Sequence, residues 1–371
     1  MSAQALRARV VQCYHRARFG PVPAFDNAPY KLSMIMKAGF FPRLTFWLPA
    51  LLAVVLAPAM VQAREFTFEY AVTIGPVADS KGPLHVFVPL AANSPQQQVL
   101  EETIVSSITG DIETETVYGN RFWHCVVEQP AGEVIELTIR SRVMRQAAVQ
   151  PLPASSPSLT PAEREKQALF LQANELVPIK HPLLAPILEE IDSAAASDDS
   201  TDLSRAIYDW VVDNVEYKKI GTGWGNGDTF WACNERYGNC TDFHALYISL
   251  ARSRDIPARF EIGFPVPEDR PSGTVGGYHC WVQVYLPGAD WFGIDASEAA
   301  KDPLRRDYFY GSQPSDRIHF STGRDIVLSP DQRSGPLNYF IYPLVEVAGE
   351  RYTGPVVSRF SYQAVEGLAV Q

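Results

Sequence analysis

Gly238-Asn239-Cys240-Thr241-Asp242-Phe243-His244-Ala245-Leu246-Tyr247-Ile248-Ser249-Leu250 is the stretch on which the reading of this chain turns. Glycine and asparagine interrupt the chain, and Phe243, Leu246, Tyr247 and Leu250 then recur at three- and four-residue spacing up to Arg254, the pattern of a helix with an apolar face. Cys240 therefore stands at a helix N-terminus. Unpaired N–H groups and the positive end of the helix dipole favour a thiolate there, the form of cysteine that attacks carbonyl carbon. Asp242 reads as a first-turn carboxylate that accepts from those N–H groups, although a negative charge so close also raises a thiol's pKa.

Further on, residues 259–266 read as a strand, and residues 278–286 with 291–296 read as a hairpin around Pro287-Gly288-Ala289-Asp290. Side chains alternate between the faces of a strand. Cys280, Val282, Val284 and Leu286 form an apolar face, matched by Phe292 and Ile294. His279, Trp281, Gln283 and Tyr285 then share the other face with Trp291, Gly293 and Asp295, provided the loop is odd or bulged. An even loop without a bulge would part His279 from Asp295. Cys280 is sent into the core and is not expected to be the nucleophile.

A thiol nucleophile needs a base within reach, and the base needs a group that fixes its tautomer. Cys240, His279 and Asp295 supply these roles in that order. The Cys240 N–H is one expected oxyanion donor, and Trp224, Trp231 and Asn234 are candidates for the second. His244, one helical turn beyond Cys240, points along the helix side and is read as packing or as a support behind the triad. The bland alternatives are a disulfide from Cys240 to Cys233, or zinc held by Cys233, Cys240, His244 and His279. The first makes the His279 and Asp295 contexts coincidental, and the second lacks a short Cys-x-x-Cys spacing. Cys125 and Cys280 are most simply buried apolar residues.

Ahead of this region, the glycine run 221–227 lacks both the lysine of a phosphate-binding loop and a preceding strand, so it reads as an active-site rim. Helices are expected around residues 183–195 and 202–215, and Thr160-Pro161-Ala162-Glu163 opens another. Residues 147–160 form a linker rich in proline, serine and alanine. Before it, β-rich runs separated by turns at Tyr118-Gly119-Asn120 and Pro130-Ala131-Gly132 read as a small antiparallel β-sandwich over residues 64–146. The core is placed at 161–345 and a C-terminal strand or tail at 346–371.

Lys37 and Arg43 precede an apolar run at 44–56 and then Ala57-Pro58-Ala59-Met60-Val61-Gln62-Ala63, a secretory signal peptide cut after Ala63. The arginine-rich stretch upstream points to Met36, or else Met34, as the true start, the rival being a basic cytoplasmic tail before a signal anchor. Residues 1–63 are thus a non-mature N-terminus, and the mature chain is expected to be exported to a periplasmic or extracellular space without a membrane span. Seven of the 32 basic residues and one of the 42 acidic ones precede Arg64, leaving 25 against 41, a net −16. Nucleic acid and anionic membranes are poor partners for such a surface.

Three blocks now resemble a known family: Gly238-Asn239-Cys240-Thr241-Asp242-Phe243 with Arg252-Ser253-Arg254-Asp255-Ile256-Pro257-Ala258-Arg259, His279-Cys280-Trp281-Val282, and Trp291-Phe292-Gly293-Ile294-Asp295-Ala296. Together they resemble the core of the transglutaminase-like superfamily, relatives of papain-type cysteine hydrolases. Gly323-Arg324-Asp325-Ile326 and Leu337-Asn338-Tyr339-Phe340 resemble exported bacterial members that place a β-domain before the core. The resemblance implies an α+β, papain-like core in which helices pack on an antiparallel sheet. It also implies acyl transfer through a thioester on Cys240, from protein or peptide amides and carboxamides to an amine or to water. The alternatives are an exported cysteine protease or amidase, or a degenerate module that binds peptide or peptidoglycan. The calcium sites and trailing β-barrels of animal transglutaminases have no counterpart, so no metal or cofactor is expected. Trp224, Trp231, Trp281 and Trp291 crowd the region and suggest a dry site that favours an amine acceptor.

Overall fold

Alternating burial along two twelve-residue strands, Ala63–Ile74 and Ile135–Gln146, shows what the sequence alternation there is for: one face packs inward and the other meets solvent. The computed structural model describes residues 63–78, 82–153 and 155–365. The signal peptide and the choice of initiator fall on residues 1–62, outside the described residues.

In chain order the first strands are β1 (Ala63–Ile74), β2 (Leu84–Pro89), β3 (Gln97–Ser106), β4 (Asp111–Thr114), β5 (Arg121–Val127), β6 (Ile135–Gln146) and the short β7 (Ala148–Val149). Helices α1 (Pro161–Lys166), α2 (Ala185–Ala194) and α3 (Ser200–Asn214) follow, then β8 (Glu216–Tyr217), α4 (Thr229–Glu235), β9 (Tyr237–Gly238) and α5 (Cys240–Ser253). Strands β10 (Ala258–Pro265), β11 (Ser272–Thr274), β12 (His279–Leu286) and β13 (Asp290–Ile294) lead to α6 (Ala296–Lys301). The chain ends in β14 (Ser312–Gln313), β15 (Arg317–Thr322), β16 (Leu344–Val347), β17 (Glu350–Arg351) and β18 (Val356–Ala364).

The fold is α+β with antiparallel main sheets. Two five-stranded sheets, ordered β11-β18-β1-β6-β3 and β17-β16-β2-β5-β4, make the sandwich. Phe66, Phe68, Tyr70, Val72, Val86, Val88, Trp123 and Cys125 share its apolar core. Phe87 and Phe122 take the other face of the second sheet and pack on Ile326, Leu328 and Phe340. The sandwich is not confined to residues 64–146, because β11 and β16 to β18 complete both sheets from far along the chain. The described residues form one compact unit whose main core runs from Phe66 to Tyr362.

A four-stranded sheet, ordered β13-β12-β10-β15, carries the second half. Against it lies α5, whose fourteen residues are all buried, so its apolar stripe is only part of what it covers. The β12–β13 hairpin pairs Leu286 with Asp290 and Val282 with Ile294, leaving the three-residue connection 287–289 with Gly288 at φ +89°. The loop is odd. Thr160 and Glu163 form a reciprocal capping box at α1, and Asp199 caps α3 three residues before the start expected there. Among the described residues no helix is long and apolar enough to cross a membrane.

Candidate active site

Cys240 is the first residue of α5, and the turn that holds it is built by its neighbours. Asn239 accepts from the Thr241 N–H at 2.9 Å, and Asp242 returns a carboxylate oxygen to the Asn239 N–H at 2.9 Å. Gly238 is required here, since a Cβ would come within 2.3 Å of Asp242. Asp242 also accepts from the Gly225 and Gly227 N–H groups at 2.7 and 3.0 Å, so one carboxylate ties the glycine run to the turn that carries Cys240. Arg324 donates to the Gly227 carbonyl at 3.1 and 3.0 Å, while Tyr278 and Tyr339 donate to that of Gly225 at 3.3 and 3.2 Å. Burial raises the Asp242 carboxyl above its ordinary range despite the three N–H groups it accepts from.

His279 opens β12, and its Nε2 lies 2.7 Å from Asp295 Oδ2. Asp295 is fully buried at the end of β13, where Oδ1 caps α6 by accepting from the Glu298 N–H at 3.1 Å and the Ser297 hydroxyl at 3.0 Å. Its Oδ2 accepts a second bond from Arg317 at 2.9 Å. Burial alone would raise this carboxyl, but His279 and Arg317 hold it far below the usual carboxylate range. For His279 burial works downward, and Asp295 with the Cys240 sulfur overrides it, raising the imidazole to about 10. Burial raises the Cys240 thiol, yet hydrogen bonding to Cys280 and His279 and the His279 charge bring it well below its ordinary 9.0. With Nε2 committed to Asp295, Nδ1 is the nitrogen left for sulfur. Both shifts favour a thiolate beside an imidazolium.

The neighbours divide the remaining work. His244 is buried, with Nδ1 at 3.3 Å from Cys280 Sγ and Nε2 at 3.6 Å from Asp295 Oδ1. Burial lowers it to about 3, so it stays neutral and is no rival base at neutral pH. Cys280 lies in the core face as its alternation requires, and burial pushes its thiol well up. Cys125, Cys233, Cys240 and Cys280 are all free thiols.

Two of the three candidates for the second oxyanion donor have their side chains engaged elsewhere. Trp231 Nε1 donates to the Tyr237 carbonyl at 2.9 Å, Trp224 Nε1 donates to Gly221 in its own loop at 3.2 Å, and Asn234 is exposed near the end of α4. Of the tryptophans expected to crowd the region, Trp281 lies 6.0 Å from the His279 ring, centroid to centroid. Trp281 is fully buried and donates to Glu261 at 2.6 Å, and Trp291 sits against Arg259 and Tyr285 on the hairpin. Tyrosines 217, 278, 339 and 342 feel the Cys240 charge. Tyr278 accepts from Asn239 Nδ2 at 3.0 Å and packs 5.7 Å from Tyr339 and 6.0 Å from Tyr342, ring to ring. Sequence reasoning also missed Arg317. It lies on β15, reached only through the pairing of β15 with β10, and no local pattern announces that.

Comparison with known proteins follows the same outline. Residues 189–296 match the transglutaminase-like superfamily. An uncharacterized protein of Haemophilus influenzae is 24% identical over 343 residues, covering 81% of this chain and 90% of its own length. The crystal structure of a candidate cysteine protease from Cytophaga hutchinsonii superposes with a TM-score of 0.55 at 18% identity, over 82% of this chain and 92% of that one. The periplasmic domain of TgpA from Pseudomonas aeruginosa aligns at 17% identity over 66% of this chain and 90% of its own, with a TM-score of 0.30.

Proposed function

We propose, from the premise that residues 189–296 form a transglutaminase-like core, that the protein is a cysteine enzyme acting on amide or carboxamide groups of proteins or peptides. The observation that carries this reading is the His279 ring, fixed at 2.7 Å on a buried carboxylate and turned toward a cysteine at a helix N-terminus. Cys240 Sγ attacks the carbonyl carbon. The oxyanion is met by the Cys240 N–H, which as a first-turn group has no intrahelical partner. As the C–N bond breaks, the leaving nitrogen takes the proton held by His279, and ammonia or an amine departs from a thioester. An amine or water then attacks the thioester, His279 takes its proton, and the C–S bond breaks to restore the thiolate. Asp295 keeps the imidazolium oriented throughout. We also propose that the mature chain starts at Arg64 and works outside the cytoplasm.

The test is residues 64–371 with casein, with and without a fluorescent primary amine, beside Cys240→Ala. Ammonia release, amine incorporation or new chain ends that vanish in Cys240→Ala support the reading, and the product identifies the acceptor. A purified, folded protein that never acylates Cys240 would leave it without support.

A further inference from the structure

Strand β18 has one edge fully paired and the other only half paired. Along β1 the register runs without a break from Phe66 opposite Ala364 to Ile74 opposite Val356. On the other edge β11 pairs only Ser272, Gly273 and Thr274 with residues 363 to 361, and the Val275 N–H adds one bond to the Phe360 carbonyl. The chain then leaves the edge through Gly276 and Gly277 and reaches Tyr278 and His279.

Successive peptide groups of a strand point to opposite edges. The Phe360 carbonyl and the Ala364 N–H face β11 and its approach, whereas the Pro355 carbonyl faces the β1 side, where it accepts from Gly75. Val356 and Ser358 therefore aim their N–H and C=O groups at the open edge, where no strand among the described residues meets them. That edge is no bare surface. Val356, Ser358 and Phe360 form one wall of a groove of about 850 Å³. Gly276, Tyr339 and Tyr342 line it too, and both tyrosines sit against Tyr278 and within the field of the Cys240 charge.

We infer that this groove binds an extended polypeptide as an added strand on Val356 and Ser358, and so presents one of its amide groups to Cys240. This rests on the reading of Cys240 as the nucleophile. Main-chain donors and acceptors two residues apart are matched by another extended backbone and not by a free amino acid or a small amine. The occupant continues the place that β11 gives up, and the tyrosine end of the groove brings it to the candidate site. Binding is then read from the backbone, with side chains in the groove adding selectivity.

The test separates binding from chemistry. Fluorescein-labelled casein, which has no stable fold to compete, is titrated into Cys240→Ala and into Cys240→Ala with Ser358→Pro, followed by anisotropy. Proline removes an N–H that serves no ladder and suits an open edge, and unchanged thermal unfolding shows that the fold is kept. Casein binding is expected to weaken about tenfold or more in the double variant. Hydrolysis of p-nitrophenyl acetate by the parent, lost in Cys240→Ala, reads the nucleophile separately from peptide binding. Amide exchange in Cys240→Ala gives a readout that needs no edge variant: casein should slow Val356 and Ser358 and leave Val357 and Arg359 unchanged. Absent casein binding, equal binding with and without Ser358→Pro, or no protection at Val356 and Ser358 would each overturn the proposal. Failure of p-nitrophenyl acetate hydrolysis in the parent alone would instead count against Cys240 as nucleophile.

Discussion

Arg317 and His279 meet the same oxygen: Asp295 Oδ2 lies 2.9 Å from the guanidinium and 2.7 Å from the imidazole. A carboxylate shared in this way stays ionised although it is fully buried, and an ionised carboxylate is what holds His279 charged. Asp295→Asn should therefore lower acyl-transfer kcat by about 10⁴-fold, as loss of the orienting carboxylate does in comparable triads. Arg317→Met should differ in kind. It should cost about 3 kcal/mol in unfolding free energy by leaving a buried charge short of a partner, while Cys240 still alkylates at low pH. Urea unfolding and iodoacetamide rates on both variants check the split.

The pH response follows from the same pair. Because Cys240 titrates well below 9.0, iodoacetamide should alkylate it at pH values where an ordinary thiol is inert. Acyl transfer needs His279 protonated to release the amine, so its rate should rise through the depressed thiol pKa and fall again as pH passes about 10. In His279→Ala, burial acts with less opposition and the onset of alkylation should move up toward or beyond 9.0. An unshifted onset would remove His279 from the mechanism.

Asp242 joins two parts of the site, so its loss should be felt in both. Asp242→Ala removes a cap worth about 1 kcal/mol and frees the Gly225 and Gly227 N–H groups. The expected result is at least a tenfold loss in kcat/KM with the onset of alkylation still below that of a free thiol. Gly238→Ala should destabilise by about 1–3 kcal/mol, because its Cβ would overlap Asp242, and thermal unfolding reads this directly.

Glu261 makes an acid-sensitive contribution beneath the site. Burial would raise its carboxyl, but Arg259, His319, Trp281 and Arg145 lower it from 4.5 to about 2. A folded-state pKa below the unfolded one stabilises the protein above 4.5, and the contribution fades as pH falls from there toward 2. Glu261→Gln should thus cost about 3 kcal/mol near neutrality and almost nothing near pH 2, measured by urea unfolding across that range.

The relation of His279 to Asp295 was legible in the sequence because strand alternation is strict and the hairpin loop is odd. The place of Cys240 was legible because asparagine, aspartate and a three-four apolar repeat mark a helix start. Arg317 was not, since it reaches Asp295 through the β10–β15 register, which shifts between Ile262 and Gly263. The second oxyanion donor is not legible among Trp224, Trp231 and Asn234, because a residue's type does not say where its N–H points. The sandwich took strands from residues 344–364 because pairing between distant segments leaves no local trace.

The position of β18 inside its sheet, between β11 and β1, also sets an order of events. As the chain emerges, β1 can zip to β6 early, but its other edge stays bare until Val356–Ala364 arrives, after every residue of the candidate triad. The last strand is a clasp. Proteolytic removal of it would reopen a long apolar-backed edge on β1, and the damaged molecule would announce itself by self-association.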